Sequence, residues 1–178
     1  MKYIKNILFL SLVIIIFSGC SLLEDFMDDA STEKSSDPQS NIESIDELKH
    51  TDYFSKHALA HIFEGELNNR NQAVGFHYDG LPTKKGKVIE NTETNPDEHG
   101  VYEAKVEIEG IKKQSNQGKS SFFPKEKDAQ EVVEAINEAY EHKTHIRGNT
   151  YEGLTSDGIV IHMYLNQQDK IISAFPIY

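Results

Sequence analysis

A single cysteine, Cys20, is the chain's whole thiol supply. That excludes an intramolecular disulfide framework and a four-cysteine zinc site. Basic residues are scarce too. The chain carries 18 Lys and Arg against 29 Asp and Glu, a net charge of −11. This excludes a general cationic coat for nucleic acid, while leaving room for a small local basic site. No apolar run reaches the roughly 20 residues of a membrane-spanning helix. There is no glycine-rich phosphate loop, no serine nucleophile elbow and no His-Glu-x-x-His string. What is present is 178 residues, 38% hydrophobic and 26% charged, the composition of one globular domain with short appendages.

The N-terminal appendage begins with Lys2 and Lys5, followed by an apolar run from Ile7 to Phe17 and the small residues Ser18 and Gly19. This is the anatomy of a secretory signal. Cys20 follows Phe17-Ser18-Gly19, a string that resembles the bacterial lipobox although Phe17 stands where Leu is usual. The expectation is a signal over 1–19 and a lipid on Cys20 that anchors the protein to the outer face of the cell membrane. Between residues 21 and 50 only Lys34 and Lys49 offset nine acidic residues. The run Ser31 to Pro38 is too polar to bury a core, so 20–47 is predicted to be an acidic disordered tether. The folded domain is predicted over 48–178.

Within that domain, His57 to Phe63 reads as a helix, with His57 and His61 one turn apart on the same face and Gly65 as its stop. Ala73 to Tyr78 reads as a strand and Leu81 to Gly100 as a long loop. Tyr102, Ala104, Val106 and Ile108 alternate with charged residues, which predicts a half-buried strand. Asp128 and Glu131 have the spacing of a capping box ahead of a helix with Val132, Val133, Ile136, Ala139 and Tyr140 on one side. A short strand near Thr150 to Leu154 precedes a hairpin of Gly158 to Leu165 and Lys170 to Ile177 around the turn Asn166 to Asp169. This order predicts an α+β fold with an antiparallel sheet and flanking helices.

The histidines admit three readings. His57 and His61 could share a metal with Glu64 or His77, which would make a metal-dependent hydrolase. His50, His57, His99, His142, His145 and His162 are better read as surface or core residues with no task. His61 and His77 could be an acid/base pair, because imidazole titrates near neutral pH. A nearby lysine would then steady charge building on a phosphate oxygen.

Seven strings, in order, favour the third reading. They are His61-Ile-Phe-Glu-Gly-Glu-Leu-Asn68, Ala73-Val-Gly-Phe-His77, Gly100-Val-Tyr-Glu-Ala-Lys-Val-Glu-Ile108, Gly118-Lys-Ser-Ser-Phe-Phe-Pro124, Gln130 to Tyr140, Gly148-Asn-Thr-Tyr-Glu-Gly153 and Ile171-Ile-Ser-Ala-Phe-Pro-Ile-Tyr178. Over about residues 57–178 the series resembles the bacterial EndoU nuclease family. The resemblance implies a fold of the barnase, EndoU, colicin and RelE-like ribonuclease type. It implies cleavage of single-stranded RNA, often beside uridine, and toxin-like use. By position it assigns the catalytic histidines to His61 and His77, the lysine to Lys119 and a hydroxyl to Thr155 or Ser156, with Thr155 favoured. Ser120 and Ser156 are expected to contact substrate. The family's tyrosine has two matches, Tyr178 and Tyr164. RNA is the implied partner, with an immunity or inhibitor protein as a further one. A monomer with no cofactor and no metal is expected. A non-catalytic lipoprotein module on the same fold, holding RNA or a protein partner, is the main alternative. Convergence of His61, His77 and Lys119 in one groove would separate the two.

Overall fold

The computed structural model describes residues 42–178, which lie in a compact unit running from Ser40 to Tyr178. Cys20, the signal and most of the predicted tether fall outside the described residues. The folded part starts ahead of residue 48. Ser44 caps a short 3-10 turn at Ile45–Glu47, and Ile42 and Ile45 pack on the main core. Among the described residues no helix is long and apolar enough to cross a membrane.

Among the described residues, two α-helices and ten strands build the domain. Helix α1 is Ala58–Phe63 and α2 is Ala129–Glu141. The strands are β1 Glu66–Leu67, β2 Ala73–Val74, β3 Gly86–Val88, β4 Tyr102–Ile108, β5 Ile111–Lys112 and β6 Lys119–Phe122. They continue with β7 Thr144–Arg147, β8 Thr150–Leu154, β9 Val160–Leu165 and β10 Ile171–Pro176. All ladders are antiparallel. One four-stranded sheet has the order β10-β9-β8-β7; the other is β3-β4-β5, with β6 pairing along the first half of β4. The α+β class expected from the sequence is the class observed.

Each sheet has its own apolar cluster. The larger is made by Ala58, Ile62 and Phe63 of α1, the inner stripe of α2 and Ile161, Met163 and Ala174 of the β9–β10 pair. All five apolar positions predicted for α2 are buried, and both halves of the capping box are formed between Asp128 and Glu131. The smaller cluster gathers Ala104, Val106 and Ile108 of β4 with Phe76, Tyr102 and Phe122. β4 alternates in and out along its length, as its sequence predicts.

Three segments differ from expectation. Of the strand predicted over 73–78, only Ala73–Val74 forms, because Gly75 and Phe76 take φ of +77° and +62° and turn the chain out of the ladder. The predicted loop 81–100 contains β3, which borrows its partner from the distant β4. The polar strand Thr144–Arg147 has no apolar alternation and is exposed throughout. It forms because it runs directly into the Gly148-Asn149 turn that returns into β8.

Candidate active site

A cavity of about 750 Å³ opens between α1, the Gly75–His77 turn, β6 and β10. His61 enters it from the last turn of α1, which ends where Gly65, at φ +74°, returns its N–H to the Ala60 carbonyl. His77 enters from the turn that follows β2. Two backbone bonds lock these segments together: Phe76 N–H donates to the His61 carbonyl at 2.9 Å, and His77 N–H to the Ile62 carbonyl at 2.7 Å. The approach requires Gly75, since a Cβ there would lie 2.1 Å from the His61 carbonyl oxygen. The imidazole centroids are consequently 6.4 Å apart.

The two rings have different surroundings. His61 Nδ1 is 2.9 Å from the Glu66 carboxylate. A carboxylate can only accept, so Nδ1 carries the hydrogen and Nε2 is left for the cavity. His77 is 6% exposed. Its Nδ1 donates to the Ser121 carbonyl at 2.8 Å, and its ring stacks on Phe175 at 5.2 Å. Burial, helped by the nearby Lys113 charge and partly offset by the Ser121 bond, holds the His77 pKa well below the ordinary histidine value. Such a ring stays neutral at physiological pH, with its Nε2 lone pair available as a base.

Two lysines line the cavity. Lys119, the one singled out by the Gly-Lys-Ser string, makes an ion pair with Glu103 at 2.8 Å. Lys113 is deeper. Its Nζ donates to Ser120 Oγ at 2.8 Å, and that hydroxyl donates in turn to the Gly75 carbonyl at 2.9 Å. Burial lowers the Lys113 pKa to about 8. Ser120 therefore braces Lys113 against the turn that carries His77. Ser173, Phe175 and Tyr164 complete the wall beside His77.

The structure brings His61, His77, Lys119, Ser120 and Tyr164 together and places three other expected residues elsewhere. Thr155 is buried in the β8–β9 connection, where its hydroxyl bonds Asp157 and the backbone of Ile159. Its spacing is that of a turn. Ser156 stands over α2, its N–H donating to Glu138, in a separate dimple. Tyr178 is 51% exposed and its hydroxyl donates to the Asn95 carbonyl, so Tyr164 is the tyrosine at the cavity. Beside Ser120, whose hydroxyl is taken up by Lys113 and the Gly75 carbonyl, the cavity wall next to Tyr164 carries the hydroxyl of Ser173, 7% exposed. No signal in the sequence separates it from the neighbouring serines, because a bulge between Ile171 and Ser173 sets its direction. Lys113 had none either, because its depth depends on the left-handed residues Asn116, Gln117 and Gly118 that fold the next segment back. His57 also borders the cavity, but among the described residues no group of three or more His, Cys, Asp or Glu converges to hold a metal.

Fold and cavity together describe a small α+β domain equipped for acid–base work on a substrate large enough to lie in an open groove. Comparison with known proteins names the class: residues 55–178 match the family described as Bacterial EndoU nuclease, and the chain belongs to that family. A curated relative from Bacillus cereus, named "Toxin", is 47% identical over 137 residues. The match covers 77% of this chain and 25% of the relative, so the chain spans about a quarter of that protein's length. No solved structure matches the chain.

Proposed function

We propose that the domain is an endoribonuclease that cuts single-stranded RNA by attack of a ribose 2′-hydroxyl on the adjacent phosphorus. The observation that carries the reading is the histidine pair, two imidazoles 6.4 Å apart across one cavity, one buried and kept neutral, the other oriented by a carboxylate. His77 takes the 2′-hydroxyl proton through Nε2. The new P–O bond forms as the P–O5′ bond breaks, and His61 gives a proton to the leaving 5′ oxygen. Lys113 stabilises charge on the phosphorane from inside the cavity and Lys119 from its rim, with Ser173 as the nearby hydroxyl donor. Tyr164 offers a ring for the base beside the cut, uridine in this reading.

The products are a 2′,3′-cyclic phosphate and a 5′-hydroxyl. End-group analysis tests this directly. A substrate with 2′-deoxyuridine at the scissile position should resist, whereas efficient cutting of it, or 5′-phosphate products, would overturn the mechanism. The name of the Bacillus cereus relative supports use of the domain as a toxin, with an immunity or inhibitor protein as its counterpart. The lipobox-like string supports attachment to the outer face of the membrane through Cys20. For this, Cys20→Ala should move the protein out of the membrane fraction or leave it unprocessed.

A further inference from the structure

We propose that the open face of the β7–β10 sheet extends the cleavage site, holding the RNA nucleotides that flank the scissile phosphate. The inference rests on the endoribonuclease reading above and deepens it. Strand register supplies the first observation. Ser173 pairs with Tyr164, Tyr164 with Thr150 and Thr150 with Arg147. Directly paired residues of an antiparallel ladder point to the same side, so one row runs from the cavity wall to the sheet edge. A second row runs beside it through Phe175, His162, Glu152 and Thr144. At about 4.8 Å per strand the rows span about 14 Å, more than one nucleotide beyond the cut.

The second observation is which face this is. Helix α2 and the main core take the alternate residues Ile161, Met163 and Ala174; on the other side His77 and the cavity walls cover β10, where Ser173 is buried, and β7 at the far edge is exposed throughout. Tyr164, between the two, is 37% exposed. The chemistry is the third. Phe175 sits against three rings, those of His77, His162 and Tyr164, which makes a stepped aromatic surface leading out of the cavity. The carboxylate on the face, Glu152, is paired with His162 at 3.0 Å. Arg147, one of only two arginines in the chain, stands at the far edge with no carboxylate in ion-pair distance among the described residues. Rings for bases and a planar cation for phosphate are the features that hold a single strand without reading its sequence. They lie on a chain whose net charge is −11, where a local cation matters most.

The test compares kcat/KM of the full chain on a uridine-containing dinucleotide and on hexanucleotides extended to the 5′ or the 3′ side. At least about a fivefold gain is expected for one of the extensions, the lower end for one stacked base. In Arg147→Ala the ratio of long to short should fall towards one, Arg147→Lys should recover part of it, and the gain should shrink with added salt. Cutting of the dinucleotide with no gain from length overturns this inference alone. So does an undiminished ratio in Arg147→Ala, which would leave the face to a protein partner. Failure to cut either substrate overturns the endoribonuclease reading instead.

Discussion

The two halves of the domain are made from different backbone. From Ala129 to Pro176 there is one capped 13-residue helix and a four-stranded meander with two bulges. From Ala58 to Phe122 the elements are two to seven residues long, and left-handed residues recur at Gly65, Gly75, Phe76 and the Asn116–Gln117–Gly118 run. His61, His77, Lys113 and Lys119 all come from the irregular half; the regular half contributes a wall, through Tyr164, Ser173 and Phe175. Repetitive structure spaces side chains at fixed intervals. Bringing two imidazoles and two amines from four separate segments to one point needs turns that repetitive structure cannot make.

The sharpest way to break this comparison is to remove the imidazoles. His61→Ala and His77→Ala should each lower kcat by about 10² to 10⁴-fold in a domain that still folds, and the double variant should be little worse than either. Retained activity in one of them would detach that ring from the chemistry.

Next comes the turn. Gly75→Ala puts a methyl group against the His61 carbonyl, so activity should fall by about 10²-fold or more, the penalty for misplacing a reacting group by about 1 Å. Gly148→Ala is the control from the regular half. Gly148 also has a positive φ, +55°, but a Cβ there meets nothing within 4 Å. Only the left-handed strain of about 1 kcal/mol should appear, in a denaturation curve, with kcat intact.

The pH profile probes the irregular half more finely. His77 is depressed well below its ordinary value, so the acid limb of kcat/KM should lie below pH 6.5. Lys113, lowered to about 8, should lose its charge on the alkaline side, and Lys113→Arg should remove that contribution to the limb. The same two shifts act on stability. A group that binds its proton more weakly when folded leaves the unfolded state holding more protons. Stability therefore rises with pH from the folded His77 pKa up to about 6.5, and again between about 8 and 10.5 for Lys113. Lys113→Met should raise the unfolding free energy by roughly 1–3 kcal/mol at pH 7 and by less at pH 10, while abolishing most activity. A destabilised Lys113→Met would show that the amine is a structural tie.

The smallest effects belong to the regular half. Thr155→Ala and Asp128→Ala should each cost about 1–2 kcal/mol of stability, through a lost turn and a lost helix cap, and leave kcat within about twofold. A large loss of activity in Thr155→Ala would return that hydroxyl to the site.

The legibility of the sequence follows the same division. Where apolar residues recur with the period of the element, as in α2 and β4, bounds and buried face are readable to within a residue. β7 was not, since its residues are exposed on both sides and carry no period. At the site, His61, His77 and Lys119 were accessible through the resemblance of short strings. Thr155 is expected at the site by resemblance, but Thr-Ser-Asp-Gly is also the composition of a plain turn, and its hydroxyl closes one outside the cavity. Lys113, Ser173 and Glu66 could not be separated from neighbouring lysines, serines and glutamates. Their place depends on a bulge between Ile171 and Ser173 and on a left-handed run, neither of which leaves a hydrophobic signature.

His77 is fastened three times: its N–H to Ile62, its ring to the Ser121 carbonyl, and its own carbonyl to the Phe123 N–H. The last two partners lie more than forty residues further along the chain. A chain still being made, or held extended, thus contains both imidazoles yet no base with a defined lone pair. Its nuclease activity is deferred until β6 has closed onto the His77 turn, so folding itself is the step that arms the protein.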